Sequence, residues 1–460
     1  MSDAPQSYPF LPYHPIRVYK VVSTYASVQY SKLKRLVPLF GHFARFQLTN
    51  SKKTDIVKNI PYGGSGNLLD IYIGSPASSP VNSPLASPSN ANIDDDAGSD
   101  HTVESNGSPV IIYVYSGSWD SGHKSMMMPM AQNLANQGYL VVVPDYKRYP
   151  QAKIEDMVRD VQDAVVWTTV NATRYGGDPA NIYLMGSGSG AHVASLAIMH
   201  DAAKQLGVQA VPNVQGDSTP IVSLPLWPDM PTSSLEDLKS HHHHHQHHHD
   251  LQEQQPLLRE RVRGLILFSG VFDITFYYAY LHNRGIEEVS AMPRVMHQSA
   301  NNYLACSPSW ILSTATAETA DRPELLEQVL PKSILLIHGE KDRLIPAHSS
   351  QTLFNLLCAA EIPNIKFKIY TGQSNLDPAI DLILPSNAIT AALLNDVADV
   401  IRPWSSMGGA GYDGGYSTGS STPNGILDDD EEDSQMLKHR QDQYTREFSE
   451  GLLRDSALTY

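Results

Sequence analysis

Residues 181–200 read NIYLMGSGSGAHVASLAIMH. NIYLMG (181–186) is a short apolar strand and GAHVASLAIMH (190–200) a helix, joined by a turn of glycine and serine alone. The same alternation runs outward in both directions. VIIYVY (110–115), YLVVVPDY (139–146), VRGLILFSG (262–270), SILLIHG (333–339) and IKFKIYTG (365–372) are strand-like. Between them, residues 126–139, 154–171 and 349–361 carry helical patterns; in 154–171 Ile154, Met157, Val158, Val161, Val165 and Val166 fall near helical spacing. Short apolar strands alternating with helices predict an α/β fold, a mostly parallel sheet with helices on both faces.

Composition bounds the remainder. The chain has 460 residues, 41% hydrophobic and 18% charged, with a net charge of −15. That balance argues against nucleic acid as the partner. Two cysteines, Cys306 and Cys358, give neither a disulfide framework nor metal-ligand spacing, which fits a reducing, cytoplasmic setting. No apolar run is long enough to span a bilayer and no secretory signal is visible.

Three domains of composition follow. Residues 1–53 form a basic segment with helical character: residues 1–60 hold nine Lys/Arg against Asp3 and Asp55. Residues 54–401 hold the alternating pattern, interrupted by insertions at about 75–108 (Ser/Pro/Asn/Asp-rich) and 212–256, both expected to be disordered. The second insertion carries the polyhistidine run HHHHHQHHH at 241–249, expected to be a low-complexity tract rather than a built metal site. Residues 402–460 are Gly/Ser-rich, then acidic, and expected to be a largely disordered tail. The basic, Tyr/Val/Leu-containing stretch 18–53 is a candidate for peripheral contact with an anionic membrane surface.

Ordered short motifs carry a resemblance. YGGSGNLLDIY (62–72), YSGSW (115–119), PDYKRYPQ (144–151), YGGDPANIYLMG (175–186) and HGEKDRLIP (338–346) occur in the order and spacing of an α/β-hydrolase. Within that superfamily the chain resembles the isoprenylcysteine methylesterase and kynurenine formamidase group of carboxylesterase-like enzymes. The resemblance implies an α/β-hydrolase fold without cofactor or metal. It also implies a serine on a G-x-S-x-G strand–helix turn, a histidine that takes its proton, an acid that orients the histidine, and backbone N–H groups that hold the oxyanion.

The sequence departs from that pattern at the chemistry. In Gly186-Ser187-Gly188-Ser189-Gly190, the nucleophile position falls on Gly188. The acid is kept as Asp342, while Asn375 stands where the histidine belongs. Glycine has no side chain to attack with, and asparagine takes no proton at neutral pH. Tyr115 and Ser116 replace the His and first Gly of the oxyanion loop; Gly117, Ser118 and Ser189 are the expected backbone donors. Ser189 and Ser187 are the substitute nucleophiles, and His123 and His348 the bases within topological reach. His338, on the acid-loop strand, and His192, on the helix after the turn, read as structural.

The sequence thus implies an esterase-like protein with its hydrolytic chemistry lost and a pocket or scaffold role kept, for a small ester-like ligand or a protein partner. Two alternatives stand beside it: an active carboxylic-ester hydrolase using Ser189 or Ser187, and a membrane-surface interaction protein.

Overall fold

In the computed structural model the described residues are 55–74, 107–208, 217–224, 261–374, 376–383 and 388–401, with scattered positions between 18 and 41. Eight strands form one sheet: β1 (Ile56–Tyr62), β2 (Asn67–Tyr72), β3 (Ser108–Val114), β4 (Leu140–Pro144), β5 (Gly177–Ser187), β6 (Gly264–Phe268), β7 (Ser333–Gly339) and β8 (Ile365–Tyr370). Their order is β1-β2-β4-β3-β5-β6-β7-β8. β1 and β2 form an antiparallel hairpin, and β2 lies antiparallel to β4; every other pair, from β4 to β8, is parallel. Strands β4 and β6 are buried at every residue, as a sheet covered on both faces requires.

The helices that cover it include α1 (Met128–Asn136), α2 (Ile154–Asn171) and α3 (Gly188–Gln205). In α2 the periodic Ile154, Met157, Val158, Val161 and Val165 all face inward. Helices α4 (Ile274–Asn283), α5 (Ala300–Ala305) and α6 (Pro308–Glu318) follow β6, then α7 (His348–Ala359) and α8 (Ala388–Ile401). The stretch with α4, α5 and α6 lacks a strong sequence period, so the sequence pattern does not predict these helices. Nor does it predict α8, which buries Thr390, Leu393, Val397 and Ile401.

The hairpin is pinned to the body by a buried ion pair. Lys124 Nζ donates to Asp70 Oδ1 (2.5 Å) and to Asn59 Oδ1 (2.7 Å), and Asn59 N–H donates to the same Asp70 oxygen (2.8 Å). The Tyr62 hydroxyl adds a bond to the Asp145 carbonyl.

Two insertion boundaries shift. Ser108 is the first residue of β3. Residues 217–224, inside the expected disordered stretch 212–256, are held on α5: Asp217 accepts the Asn301 N–H (2.9 Å), and Asn302 accepts the Val222 N–H (2.6 Å) while donating to the Pro220 carbonyl (3.1 Å). The polyhistidine run, the tail 402–460, nearly all of 1–53 and Asn375 lie outside the described residues.

Candidate active site

Strand β5 ends at Ser187 and α3 begins at Gly188, whose φ is +50°. This is the left-handed region that side-chain-bearing residues seldom adopt. The flanking glycines are required by space. A Cβ on Gly186 would lie 2.8 Å from the Ala191 backbone, and one on Gly190 2.2 Å from the Val114 carbonyl oxygen. At Gly188 a Cβ would meet no backbone; it would meet the Ser116 hydroxyl at 2.3 Å and Ile345 Cδ1 at 3.7 Å. The turn is thus a tight strand–helix geometry in which a side chain at 188 would first meet the Ser116 hydroxyl.

Neither neighbouring serine is free. Ser187 is buried at 1% exposure, beneath the turn; its Oγ is 2.9 Å from the Tyr113 hydroxyl and 3.4 Å from Asp377 Oδ1. Ser189 is buried at 3% exposure on the oxyanion-loop side. Its Oγ accepts the Gly117 N–H (3.0 Å), and the Tyr146 hydroxyl donates to the Tyr115 carbonyl (2.8 Å). Among the described residues no histidine hydrogen-bonds either Oγ. His123 turns to Asp145 and Ser125, His338 to Ser350 and the Ile345 carbonyl, and His348 to Thr352.

The loop expected to hold the oxyanion follows β3. Gly117 is sterically required, because a Cβ there would collide with the Ser121 carbonyl; Ser118 and Trp119 both have positive φ, 54° and 65°. Of the three expected donors, the Gly117 N–H is committed to Ser189. The Ser189 N–H lies in the first turn of α3, where no intrahelical acceptor exists. Tyr115, at the start of this loop, is a buried phenol. It donates to Asp145 Oδ1 (2.7 Å), accepts from Arg148 (2.8 Å) and stacks on Tyr146 at 4.9 Å. Burial pushes its pKa far up, so it stays neutral.

Asp342, the expected acid, lies in the loop after β7. Its Oδ1 accepts the N–H groups of Leu344 (2.8 Å) and Ile345 (3.1 Å), so it caps its own loop. Its buried Oδ2 lies 3.5 Å from His338 Nε2 but makes no hydrogen bond among the described residues. His338 spends its Nε2–H on the Ile345 carbonyl (2.9 Å) and receives the Ser350 hydroxyl at Nδ1 (2.7 Å), a structural role. His192 is structural too: Trp119 Nε1–H donates to its Nδ1 (3.1 Å), and its Nε2–H donates to the Cys306 carbonyl (2.8 Å). Burial pushes His192 down to about 4, so it is neutral at physiological pH. Among the described residues, no group of three or more His, Cys, Asp or Glu is placed to hold a metal ion.

Sequence reasoning missed the roles of Ser116 and Tyr146.

The strand order, the strand–helix turn and the acid loop together define a member of the α/β-hydrolase superfamily. Within it, the chain is similar to isoprenylcysteine methylesterases. It is 26% identical to isoprenylcysteine alpha-carbonyl methylesterase ICME of Arabidopsis thaliana and 27% identical to the probable enzyme ICMEL1 of Oryza sativa subsp. japonica; each match covers 64% of this chain and 56% of the relative. The chain thus spans little more than half the length of these curated relatives. A family profile described as BD-FAE matches residues 100–265. Among solved structures, esterase 2 of Thermogutta terrifontis is similar at a TM-score of 0.44 with 15% identity, covering 76% of this chain and 91% of that one.

Proposed function

We propose that this protein is an esterase-like α/β-hydrolase whose strand–helix turn no longer hydrolyses esters and whose pocket is kept for binding a small ester-like ligand. The observation that carries this is Gly188. The turn has a φ of +50° at this position, glycine supplies no side chain there, and the Ser116 hydroxyl lies where a Cβ would point. The committed hydrogen bonds of Ser187 and Ser189 support the same reading, since an attacking hydroxyl needs a free approach and a base within about 3 Å. Covalent trapping tests this: a fluorophosphonate should leave Ser187 and Ser189 unmodified, and a phosphonyl adduct on either would restore the active-esterase reading.

A peripheral-membrane role is supported by a separate observation. The described helical positions Tyr19, Val22, Ala26 and Tyr30 fall at i, i+3, i+7 and i+11 and are all exposed, Tyr19 by 73% and Tyr30 by 69%. An exposed apolar stripe in a basic segment suits an anionic surface. No helix among the described residues is long and apolar enough to cross a membrane.

A further inference from the structure

We propose that Ser125 is a second nucleophilic centre, with His123 as its base and Asp145 as the residue that positions the base, reacting with activated carboxylic esters. The three residues come from two places. His123 and Ser125 flank Lys124 at the start of the short helical turn Lys124–Met127, just past the oxyanion loop, and Asp145 follows β4. Asp145 is fixed from several sides: its Oδ1 accepts the Tyr115 hydroxyl (2.7 Å) and the Lys124 N–H (2.8 Å), and Arg148 stands 3.8 Å from the same oxygen. Its Oδ2 faces His123 Nε2 at 3.0 Å.

That contact sets the tautomer. An ionised carboxylate only accepts, so in the neutral ring Nε2 carries the proton and Nδ1 carries the lone pair. The lone pair faces Ser125, whose Oγ lies 2.8 Å away and whose N–H lies 3.2 Å away. The backbone contact is a helix cap, which explains one of the three bonds. It does not call for a carboxylate on the far nitrogen or for a hydroxyl at 2.8 Å from the near one. The Lys124 ammonium takes no part, because it is turned into the buried pair with Asp70. Ser125 is exposed and the His123 side chain is 50% exposed, so a reagent reaches both, whereas the serines of the turn are buried.

The step balances without a co-reactant other than water. Ser125 Oγ attacks the carbonyl carbon and its proton passes to His123 Nδ1; the resulting imidazolium is held through Nε2–H by the Asp145 carboxylate. The ester C–O bond breaks and the alcohol or phenol leaves with the proton from Nδ1. Water then attacks the acyl-serine and gives a proton to His123; the acyl C–Oγ bond breaks, Ser125 Oγ takes that proton back from Nδ1, and the acid leaves. An exposed serine suits esters with good leaving groups, whose departure needs little assistance.

The test uses the full chain and a fluorophosphonate, with adducts mapped by peptide mass spectrometry. Here the Ser125 Oγ–P bond forms, the P–F bond breaks, and the proton follows fluoride into solvent. Ser125 should be modified, and Ser125→Ala should lose that adduct. His123→Asn keeps a side-chain acceptor for the Ser125 N–H but has no base, and should slow modification of Ser125 about a hundredfold with an unchanged circular dichroism spectrum. An unmodified Ser125 in the folded parent would overturn the proposal, as would equal modification in His123→Asn, which would reduce His123 to a cap. Adducts on Ser187 or Ser189 appear on a different peptide, so failure of the proposed function at the turn is distinguished from failure at Ser125.

Discussion

At position 188 the difference between serine and glycine is one hydroxymethyl group, and the space such a group would enter is lined by the Ser116 hydroxyl. Restoring chemistry there requires three changes. Gly188→Ser alone lacks a base, and its new Cβ would meet Ser116 Oγ at 2.3 Å. That contact is a rotatable side-chain end, so the position should accept a serine once Ser116 yields. The φ of +50° is the conformation an elbow nucleophile has to tolerate. We therefore expect Ser116→Gly with Gly188→Ser and Asn375→His to hydrolyse p-nitrophenyl acetate at least about tenfold faster than the parent, each measured in a Ser125→Ala background. Each single change should leave the rate within about twofold, because the members act as one unit. A folded triple variant no faster than the parent would mean that the site has diverged beyond these positions.

Among the elements, His192 joins three: α3, which carries it; the oxyanion loop, through Trp119; and the segment before α6, through Cys306. Because burial depresses its pKa to about 4 from an ordinary 6.5, the unfolded chain binds a proton that the folded one refuses between those values. Stability should be insensitive to this group above pH 6.5 and should fall as pH drops from 6.5 towards 4. His200, also pushed down to about 4, acts in the same direction. His192→Phe should lower stability at neutral pH by about 1–3 kcal/mol, since it strands a buried indole N–H and a carbonyl, and should flatten the acid dependence. Urea midpoints at pH 7.5 and 5 measure both; an undiminished pH slope in the variant would contradict the assignment. The framework of β3 to β8 and of α2, α3 and α7 was legible because each element repeats its own period over enough residues. Helices α4 to α6 were not, since half-buried cap helices such as α4 mix aromatic and polar residues on every side. At the site, Gly188 and Asp342 were named from motifs and lie in the strand–helix turn and the loop after β7, while Asn375, named in the same way, lies outside the described residues. The Ser189–Gly117 bond, the place of Ser116 beside Gly188 and the Ser125–His123–Asp145 array were not legible, because each is made by side chains or loops from separate segments.

Across the whole molecule, charge is segregated by position in the chain. Residues 1–60 carry nine basic and two acidic groups, and residues 402–460 carry eleven acidic and five basic. Opposite charges attract when they come within the roughly 8 Å over which physiological salt leaves them unscreened. If the basic segment meets an anionic surface, the acidic tail competes with that surface for it. Deleting residues 402–460 should then strengthen binding to phosphatidylserine-containing vesicles in co-sedimentation, by severalfold at low salt and less at high salt. Unchanged or weaker binding would remove the tail from this role.

The proposed loss of hydrolytic chemistry at the strand–helix turn is tested most directly by the occupancy of one peptide. Trypsin releases residues 175–204, which contain Ser187 and Ser189, separately from the peptides holding Ser116 and Ser125. After exhaustive reaction of the folded protein with a fluorophosphonate, residues 175–204 should carry no phosphonyl adduct at either serine. A stoichiometric adduct on Ser189 or Ser187 would show a working nucleophile in the turn and contradict the reading of Gly188 as a vacated position.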